Sequence, residues 1–148
     1  MRYLLLALLL GALGCDTSVL SPDDLSGRWR GQVKVDVHAT IGGAAVVVSN
    51  RFDLDVSLTQ RADSVHGSGT MRRDQEGAGP VAFRVAGPLH PSCAAGDCAD
   101  LHLAFLFAGP APLGDFHVLF DVKEDGREMA GVPCCPLTIA AGSVRLER

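Results

Sequence analysis

Five cysteines are the residues of this 148-residue chain with the most distinctive chemistry. They are Cys15, Cys93, Cys98, Cys134 and Cys135. Cysteine side chains form disulfides, ligate zinc or take part in redox exchange. The spacing of the last four does not repeat the Cys-x-x-Cys pairs of structural zinc sites, so we expect no metal centre there, with or without His90. The adjacent pair Cys134-Cys135 is compatible with a redox role, or with nothing more than a stiffened loop.

The remaining polar groups do not form a recognisable catalytic pattern. Four histidines fall on outward positions of the predicted strands: His38, His66, His102 and His117. The sequence has no His-x-x-x-His pair, no Gly-x-Ser-x-Gly elbow and no glycine-rich phosphate loop. The outward carboxylates Asp53 and Asp55 are interpreted as a solvated face rather than as an acid–base pair. We therefore predict no enzymatic activity and no cofactor.

The N-terminus has the features of an export signal. Met1-Arg2 supplies a positive start, and an apolar run follows from Tyr3 to Leu13. This run of about 11 residues is shorter than the roughly 20 that a membrane-spanning helix needs, and it is typical of a secretory signal.

Ala12-Leu13-Gly14-Cys15 resembles the bacterial lipobox, although Ala12 and Leu13 are swapped relative to its commonest form. The resemblance implies a signal peptide over residues 1–14, cleaved by signal peptidase II, and a tether over 15–24 that begins at a lipidated Cys15. Palmitate-type chains contribute about 0.8 kcal/mol per buried methylene, enough for stable anchoring when several are present. We therefore predict a lipoprotein of the bacterial cell envelope, anchored to a membrane and exposed to the periplasm or the cell surface. An ordinary signal peptide is the alternative.

Composition limits the domain count and the kinds of partner. Removal of residues 1–14 leaves 134 residues, which suits one domain over 25–148. The formal charge of the full chain is −4 and becomes −5 when Arg2 is lost. A mildly acidic chain without a basic run is not expected to bind nucleic acid or anionic lipid head groups.

Alternation of apolar and polar residues begins at the only tryptophan, Trp29. Apolar residues and a glycine occupy every second position as far as Val37, with polar residues between them. This period of two is typical of a strand with one buried face. Seven similar segments follow, separated by turn-forming residues, and they begin near Ala45, Val65, Val81, Leu101, Phe116, Arg127 and Gly142. The segment from Val65 is expected to give way to a polar turn over residues 73–79, and the segment from Arg127 is expected to end at Val132.

Eight short-linked strands predict an all-β domain, an eight-stranded antiparallel up-and-down β-barrel. Closure of the sheet removes the two exposed edges that an open meander would present. Eight is also about the number of strands at which side chains or one small ligand fill the lumen. A β-sandwich is the alternative.

The segment Gly27-x-Trp29-x-Gly31 resembles the glycine-x-tryptophan signature of the calycins, the lipocalin and avidin group of barrels. The resemblance is architectural, covers about 120 residues and does not extend to other lipocalin motifs. It implies that Arg145 or Arg148 packs on Trp29, a cation–π contact of roughly 0.5–2 kcal/mol. A biotin site like that of avidin is not expected, because such a site needs several aromatic residues and a polar lining.

The inward positions of the predicted barrel are almost all apolar, with Asn50 as the polar exception. They fit either a core filled by its own side chains or a cup for a small hydrophobic ligand or lipid. The side chains expected to line such a cup are Trp29, Val35, Phe52, Leu54, Phe83, Phe105, Phe116 and Phe120. With a filled core, the protein would instead be a structural or protein-interaction module.

Strand parity restricts the disulfides that export favours. Cys93 and Cys98 follow the fourth strand, and Cys134 and Cys135 follow the seventh. Three intervening strands place the two loops at opposite ends of an up-and-down barrel, on the order of 20 Å apart and beyond the 7 Å limit for a bridge. We predict a Cys93–Cys98 disulfide, and either a vicinal bridge or two thiols at Cys134-Cys135.

Overall fold

The computed structural model describes residues 24–75, 77, 79–90, 99–109, 113–123, 125–134 and 139–148. The predicted signal peptide, Cys15 and nearly all of the tether lie outside these residues. Within them the chain forms eight strands and no helix: β1 (Gly27–Ile41), β2 (Ala44–Arg61), β3 (Ser64–Arg73), β4 (Val81–Pro88), β5 (Leu101–Phe107), β6 (Phe116–Val122), β7 (Glu128–Cys134) and β8 (Ile139–Glu147).

The strands form one closed antiparallel barrel in which each strand pairs with its neighbours in sequence and β8 returns to β1. The predicted all-β up-and-down barrel is therefore confirmed. Gly31 lies at the closing seam, opposite Leu146 of β8. A Cβ added at Gly31 would stand 1.7 Å from the carbonyl oxygen of Arg145, so only glycine lets β8 approach β1 this closely.

The barrel has two different ends. At the tryptophan end, β1 begins and β8 finishes, and residues 24–26 lead into Trp29. At the opposite end, the hairpin end, β1 turns into β2 through Gly42-Gly43. Both glycines have positive φ, +59° and +85°, as a tight two-residue hairpin turn requires.

β1 and β2 are the longest strands, and they extend past the rest of the barrel at the hairpin end. β8 pairs with β1 only as far as Val37, and β3 pairs with β2 only from Phe52. Beyond these points β1 and β2 continue as a two-stranded ribbon, residues 38–51. The sequence predicted the two strands but not their overhang, because alternation does not report where a neighbour stops.

Inward side chains fill the barrel as the alternation predicts. Among the described residues no polar or charged side chain is buried, and no buried side-chain polar atom lacks a hydrogen-bond partner. The segment that precedes β1, residues 24–26, also contributes to this core, since Leu25 is completely buried.

The end of β7 and the start of β8 differ from the expectation. β7 continues through Pro133 to Cys134, whereas the sequence placed its end at Val132. Proline is tolerated there because β8 pairs with β7 only as far as Gly131, and no hydrogen bond to β8 is lost beyond that point. β8 begins at Ile139, three residues before the expected start.

Candidate functional site

The tryptophan end is sealed by side chains and by the entering chain. Trp29 is fully buried and its Nε1 donates to the carbonyl oxygen of Leu25 at 2.9 Å. The N–H of Leu25 donates to Oε1 of Gln60 at 2.9 Å, which fixes the entering segment to the end of β2. Arg148 lies over the indole, with its guanidinium carbon 5.2 Å from the ring centroid. This end therefore offers no route into the lumen between these residues.

The side chains expected to line a cup are packed together in the core. All eight are at most 3% exposed: Trp29, Val35, Phe52, Leu54, Phe83, Phe105, Phe116 and Phe120. Phe105 stacks on Phe116 with ring centroids 4.7 Å apart, and Phe83 contacts Phe105 at 5.2 Å. In this packing the middle of the lumen is occupied by the protein's own aromatic rings.

A cavity of about 240 Å³ lies at the hairpin end, above the aromatic core. Its apolar lining consists of Val37, Ala39, Val48, Phe52 and Leu113. Phe52 is the one residue expected to line a cup that also reaches this cavity. The cavity is open to solvent, and its volume suits a small apolar group rather than a whole lipid, since an enclosed cavity of about 150 Å³ is large enough to hold benzene.

Two polar side chains, Asn50 and Arg73, share this cavity with the apolar lining. Both point inward by strand parity, and Arg73 stands opposite Phe52 in the β2–β3 pairing. A terminal nitrogen of Arg73 donates to Oδ1 of Asn50, and Nδ2 of Asn50 donates to the carbonyl oxygen of Val48 at 3.2 Å. Among the described residues, Arg73 makes no ion pair. Its guanidinium therefore keeps several N–H donors for an acceptor entering the cavity.

The sequence prediction included Asn50 but missed Arg73. The segment from Arg73 was assigned to a polar turn, whereas β3 continues through Arg73. The sequence did contain a signal that Arg73 points inward. Alternate residues of a strand face the same side, and Arg73 follows the inward-facing Met71 by two residues.

The outward face of β1 to β3 is charged, as predicted. Asp55 accepts hydrogen bonds from Arg28 at 2.7 and 2.5 Å, and Arg30 approaches it at 3.3 Å. The hydrogen bond from Arg28 holds the pKa of Asp55 below its ordinary value. Asp53 lies 3.5 Å from the guanidinium of Arg72. Both carboxylates belong to exposed ion pairs, which contribute little to stability individually.

A histidine pair lies on the outward side of β5 and β6. Nε2 of His102 and Nδ1 of His117 are 3.0 Å apart, so one ring donates and the other accepts. Partial burial lowers the pKa of His102, and the neighbouring His117 lowers it further. Cys134 stands opposite His117 on β7 and is half-buried.

The structure describes only one of the five cysteines, Cys134. Cys15, Cys93, Cys98 and Cys135 are outside the described residues, so the disulfide pairing stays a prediction. β4 ends and β5 begins at the tryptophan end, whereas Cys134 terminates β7 at the hairpin end. The described strands thus have the parity on which the predicted pairing rests.

The described residues lack two further kinds of feature. They contain no group of three or more histidine, cysteine or acidic side chains placed to hold a metal ion. They also contain no helix long and apolar enough to cross a membrane.

The chain was compared with models of known protein families, with curated proteins and with solved structures, and none of the three comparisons gave a match. The closed barrel and its sealing tryptophan are compatible with a calycin-like architecture.

Proposed function

We propose that this protein is a lipid-anchored lipoprotein of the bacterial cell envelope that binds a small hydrophobic ligand at the hairpin end of its barrel. The observation that carries the proposal is the cavity of about 240 Å³ between the β1–β2 ribbon and Leu113. Among the described residues of the tryptophan end, Leu25, Trp29 and Arg148 cover the core, so we expect the ligand to enter from the opposite end. Because side chains fill the lumen below Phe52, the ligand can enter the barrel only as far as Phe52.

The cavity also defines the chemistry of the ligand. Five apolar side chains would hold a short hydrocarbon or single-ring group, whose burial yields roughly 25 cal/mol per Å². Arg73, with Asn50 beside it, would hold a carboxylate or another acceptor at the mouth, since guanidinium groups favour such partners. A small amphipathic molecule with one acceptor group fits both parts.

Ligand binding is tested with 4-(dimethylamino)benzonitrile, a single-ring probe whose fluorescence depends on the polarity of its surroundings. Leu113→Asp places a carboxylate in the cavity and should weaken probe binding at least tenfold. Leu106→Asp is the matched control, because Leu106 is 45% exposed on the outward face of β5. Absence of saturable probe binding, or equal loss in both variants, contradicts the proposal.

The acceptor end is tested by competition between octanoate and octanol for the same probe. Octanoate should compete more strongly with the native chain, and Arg73→Gln should remove that preference while probe binding persists. A preference that survives Arg73→Gln assigns the anion to another group and rules out this role for Arg73.

The anchor is tested in a bacterial host by membrane fractionation and by the mass of the N-terminal peptide. The lipidated chain should begin at Cys15, carry acyl mass and sediment with membranes. Cys15→Ser should release the protein from membranes. A native chain without acyl mass contradicts the anchor and leaves the binding experiment intact.

A second candidate function, a structural or protein-interaction module, is favoured by the core packing. Phe105, Phe116 and Phe120 are each completely buried, and they fill the centre of the barrel. Under this alternative the purified protein carries no small molecule. A native mass spectrum distinguishes the two, because the first function expects a ligand that Leu113→Asp releases.

A further inference from the structure

The β1–β2 ribbon, residues 38–51, carries an uncharged tip that extends past the rest of the barrel. Neither β8 nor β3 pairs with this part of β1 and β2. Residues 39–50, which form the tip, contain no charged side chain. A Cβ added at Gly42 or Gly43 would meet nothing within 4 Å, so the turn of the tip stands clear of the other described residues.

Two of the five exposed large apolar side chains of the described residues lie in this tip. Ile41 is 64% exposed and Val47 is 57% exposed. By strand parity Ile41 lies on the face that continues the cavity lining, and Val47 lies on the opposite face. The tip therefore presents an apolar side chain to solvent on both of its faces. Clustered exposed apolar surface of this kind marks a contact with a partner or a membrane.

A collar of charged residues of both signs surrounds the base of the tip. Arg51 is 51% exposed, and Asp74 approaches it at 4.0 Å. Asp36 and Lys34 lie on the outward face of β1, opposite Ser49 and Arg51 of β2. The head group of a zwitterionic lipid carries a phosphate and an ammonium side by side, and this mixed collar is complementary to both. An apolar tip below a mixed collar also follows the order of layers in a neutral bilayer.

We propose that the tip inserts into the surface of a lipid bilayer with zwitterionic head groups. The turn enters first, and Ile41 and Val47 exchange water for the border between head groups and acyl chains. The charged collar stays at the level of the head groups, because Asp36 lies about 17 Å along the strand from Ile41. Burial of apolar surface drives the insertion, so it does not require a basic chain or an anionic membrane.

The backbone limits how deep the tip can go. In the described structure the outer edges of both strands of the tip lack a neighbouring strand. Backbone N–H and C=O groups without partners are strongly disfavoured in hydrocarbon. They stay hydrogen-bonded to water within the head-group layer, which is about 5–7 Å thick on each side of the bilayer. The ribbon therefore lies obliquely in this layer and does not cross the membrane.

The proposed lipid at Cys15 and the tip can contact the same membrane, although they belong to opposite ends of the barrel. β1 has 15 residues, which at a strand tilt of about 40° span roughly 35 Å along the barrel axis. The tether from Cys15 to Asp24 spans at most about 30 Å. A barrel inclined with its β1–β2 wall towards the membrane accommodates both lengths. The insertion itself depends neither on this lipid nor on ligand binding.

Insertion is tested by tryptophan fluorescence of the full chain with phosphatidylcholine vesicles whose acyl chains carry bromine, a contact quencher, close to the head groups. Val47→Trp places an indole on the tip, and its emission should move to shorter wavelength and be quenched. Val132→Trp is the matched control, because Val132 is 61% exposed on the outward face of β7, and its emission should not change. The buried Trp29 gives the same background in every chain, and the parent chain measures it.

Ile41→Asp in the Val47→Trp chain supplies the second arm. Loss of a buried isoleucine side chain changes the insertion equilibrium about tenfold or more, and the new carboxylate opposes insertion further, so the quenching should disappear. Ile41→Leu retains the apolar surface and should retain the quenching. Both substitutions should leave the melting temperature unchanged, because Ile41 lies outside the core.

Three results would overturn the proposal: no quenching at Val47→Trp, equal quenching at Val132→Trp, or quenching that survives Ile41→Asp. An emission of Val47→Trp that shifts to shorter wavelength without vesicles, and more so at higher protein concentration, would also overturn it and assign the tip to a second copy of the chain.

Discussion

Arg148 lies over the ring of Trp29, with its guanidinium carbon 5.2 Å from the indole centroid. The same guanidinium donates to the carbonyl oxygens of Asp24 at 2.8 Å and Ser26 at 3.3 Å. One side chain after β8 therefore holds both the indole and the segment that enters β1. Of the two arginines that the calycin resemblance left open, the structure selects Arg148. Arg145 instead pairs with Glu128 at 3.2 Å and with Glu147 at 3.1 Å.

Replacement of Arg148 by alanine should loosen the tryptophan end without unfolding the barrel. An exposed cation–π contact contributes about 0.5–1 kcal/mol, so the melting temperature should fall by roughly 2–6 °C. Trp29 is the only tryptophan, so its fluorescence reports directly on the change. Thermal unfolding and emission spectra provide the measurement.

Arg145→Ala is the matched control for this experiment. It removes an exposed arginine with two ion pairs from the end of β8 but leaves the indole contact in place. Its emission spectrum should coincide with that of the parent chain. If Arg145→Ala changes the emission and Arg148→Ala does not, the assignment of the contact is wrong.

Gly31→Ala should be far more damaging than its one methyl group suggests. The added Cβ would meet the Arg145 carbonyl oxygen at 1.7 Å and the Leu146 Cα at 2.9 Å, both in the backbone of β8. The closing seam must then open, at a cost of about 3 kcal/mol or more in the free energy of unfolding. Urea unfolding measures the loss. Gly109→Ala, where the new Cβ meets nothing within 4 Å, should change stability by less than about 0.5 kcal/mol.

The barrel could be predicted from the sequence because its physical cause is local and periodic. Each strand buries one face, so its apolar residues recur at every second position, as in Phe52, Leu54, Val56 and Leu58. The choice of a closed sheet rested on the cost of bare edges, and pairing of β8 with β1 agrees with it.

The candidate site could be predicted only in part because it depends on where strands end. The alternation that fixed Phe83, Phe105 and Phe116 as inward says nothing of whether they leave space between them. The cavity arises because β1 and β2 extend beyond the ends of β8 and β3. This is a relationship between strands, and the alternation within one strand carries no signal of it. Arg73 was missed for the same reason: a charged residue near Gly77 and Gly79 was assigned to a turn, although β3 still had one inward position to fill.

The His102–His117 pair should make stability depend on pH. Burial, and then the neighbouring His117, lowers the pKa of His102 in the folded state. The unfolded chain, with an ordinary histidine pKa of about 6.5, therefore binds a proton that the folded chain resists. The contribution of this pair is fully present above pH 6.5 and is lost as the pH falls towards the lowered pKa of the folded state.

Urea unfolding at pH 8, 7, 6 and 5 measures this dependence. His102→Gln cannot take up the proton. As the pH falls, the free energy of unfolding of the parent chain should therefore decrease more than that of this variant. His66→Gln, at an exposed position of β3, corrects for loss of a histidine as such. A stability difference for His102→Gln that does not change with pH would show that the pair is not the titrating element.

The predicted Cys93–Cys98 disulfide is the remaining expectation that connects topology to covalent structure. These cysteines lie between β4 and β5, which meet at the tryptophan end, whereas Cys134 lies at the end of β7 on the other side of the barrel. Peptide mapping of the unreduced, exported protein should find Cys93 joined to Cys98. A peptide joining either of them to Cys134 or Cys135 would contradict the parity argument, because seven-residue strands separate the two ends by on the order of 20 Å.

A double Cys93→Ser, Cys98→Ser chain should lose about 2 kcal/mol of stability, since the bridge closes only a short loop. The same substitutions should have no effect in a reduced sample, which separates the bridge from the side chains themselves.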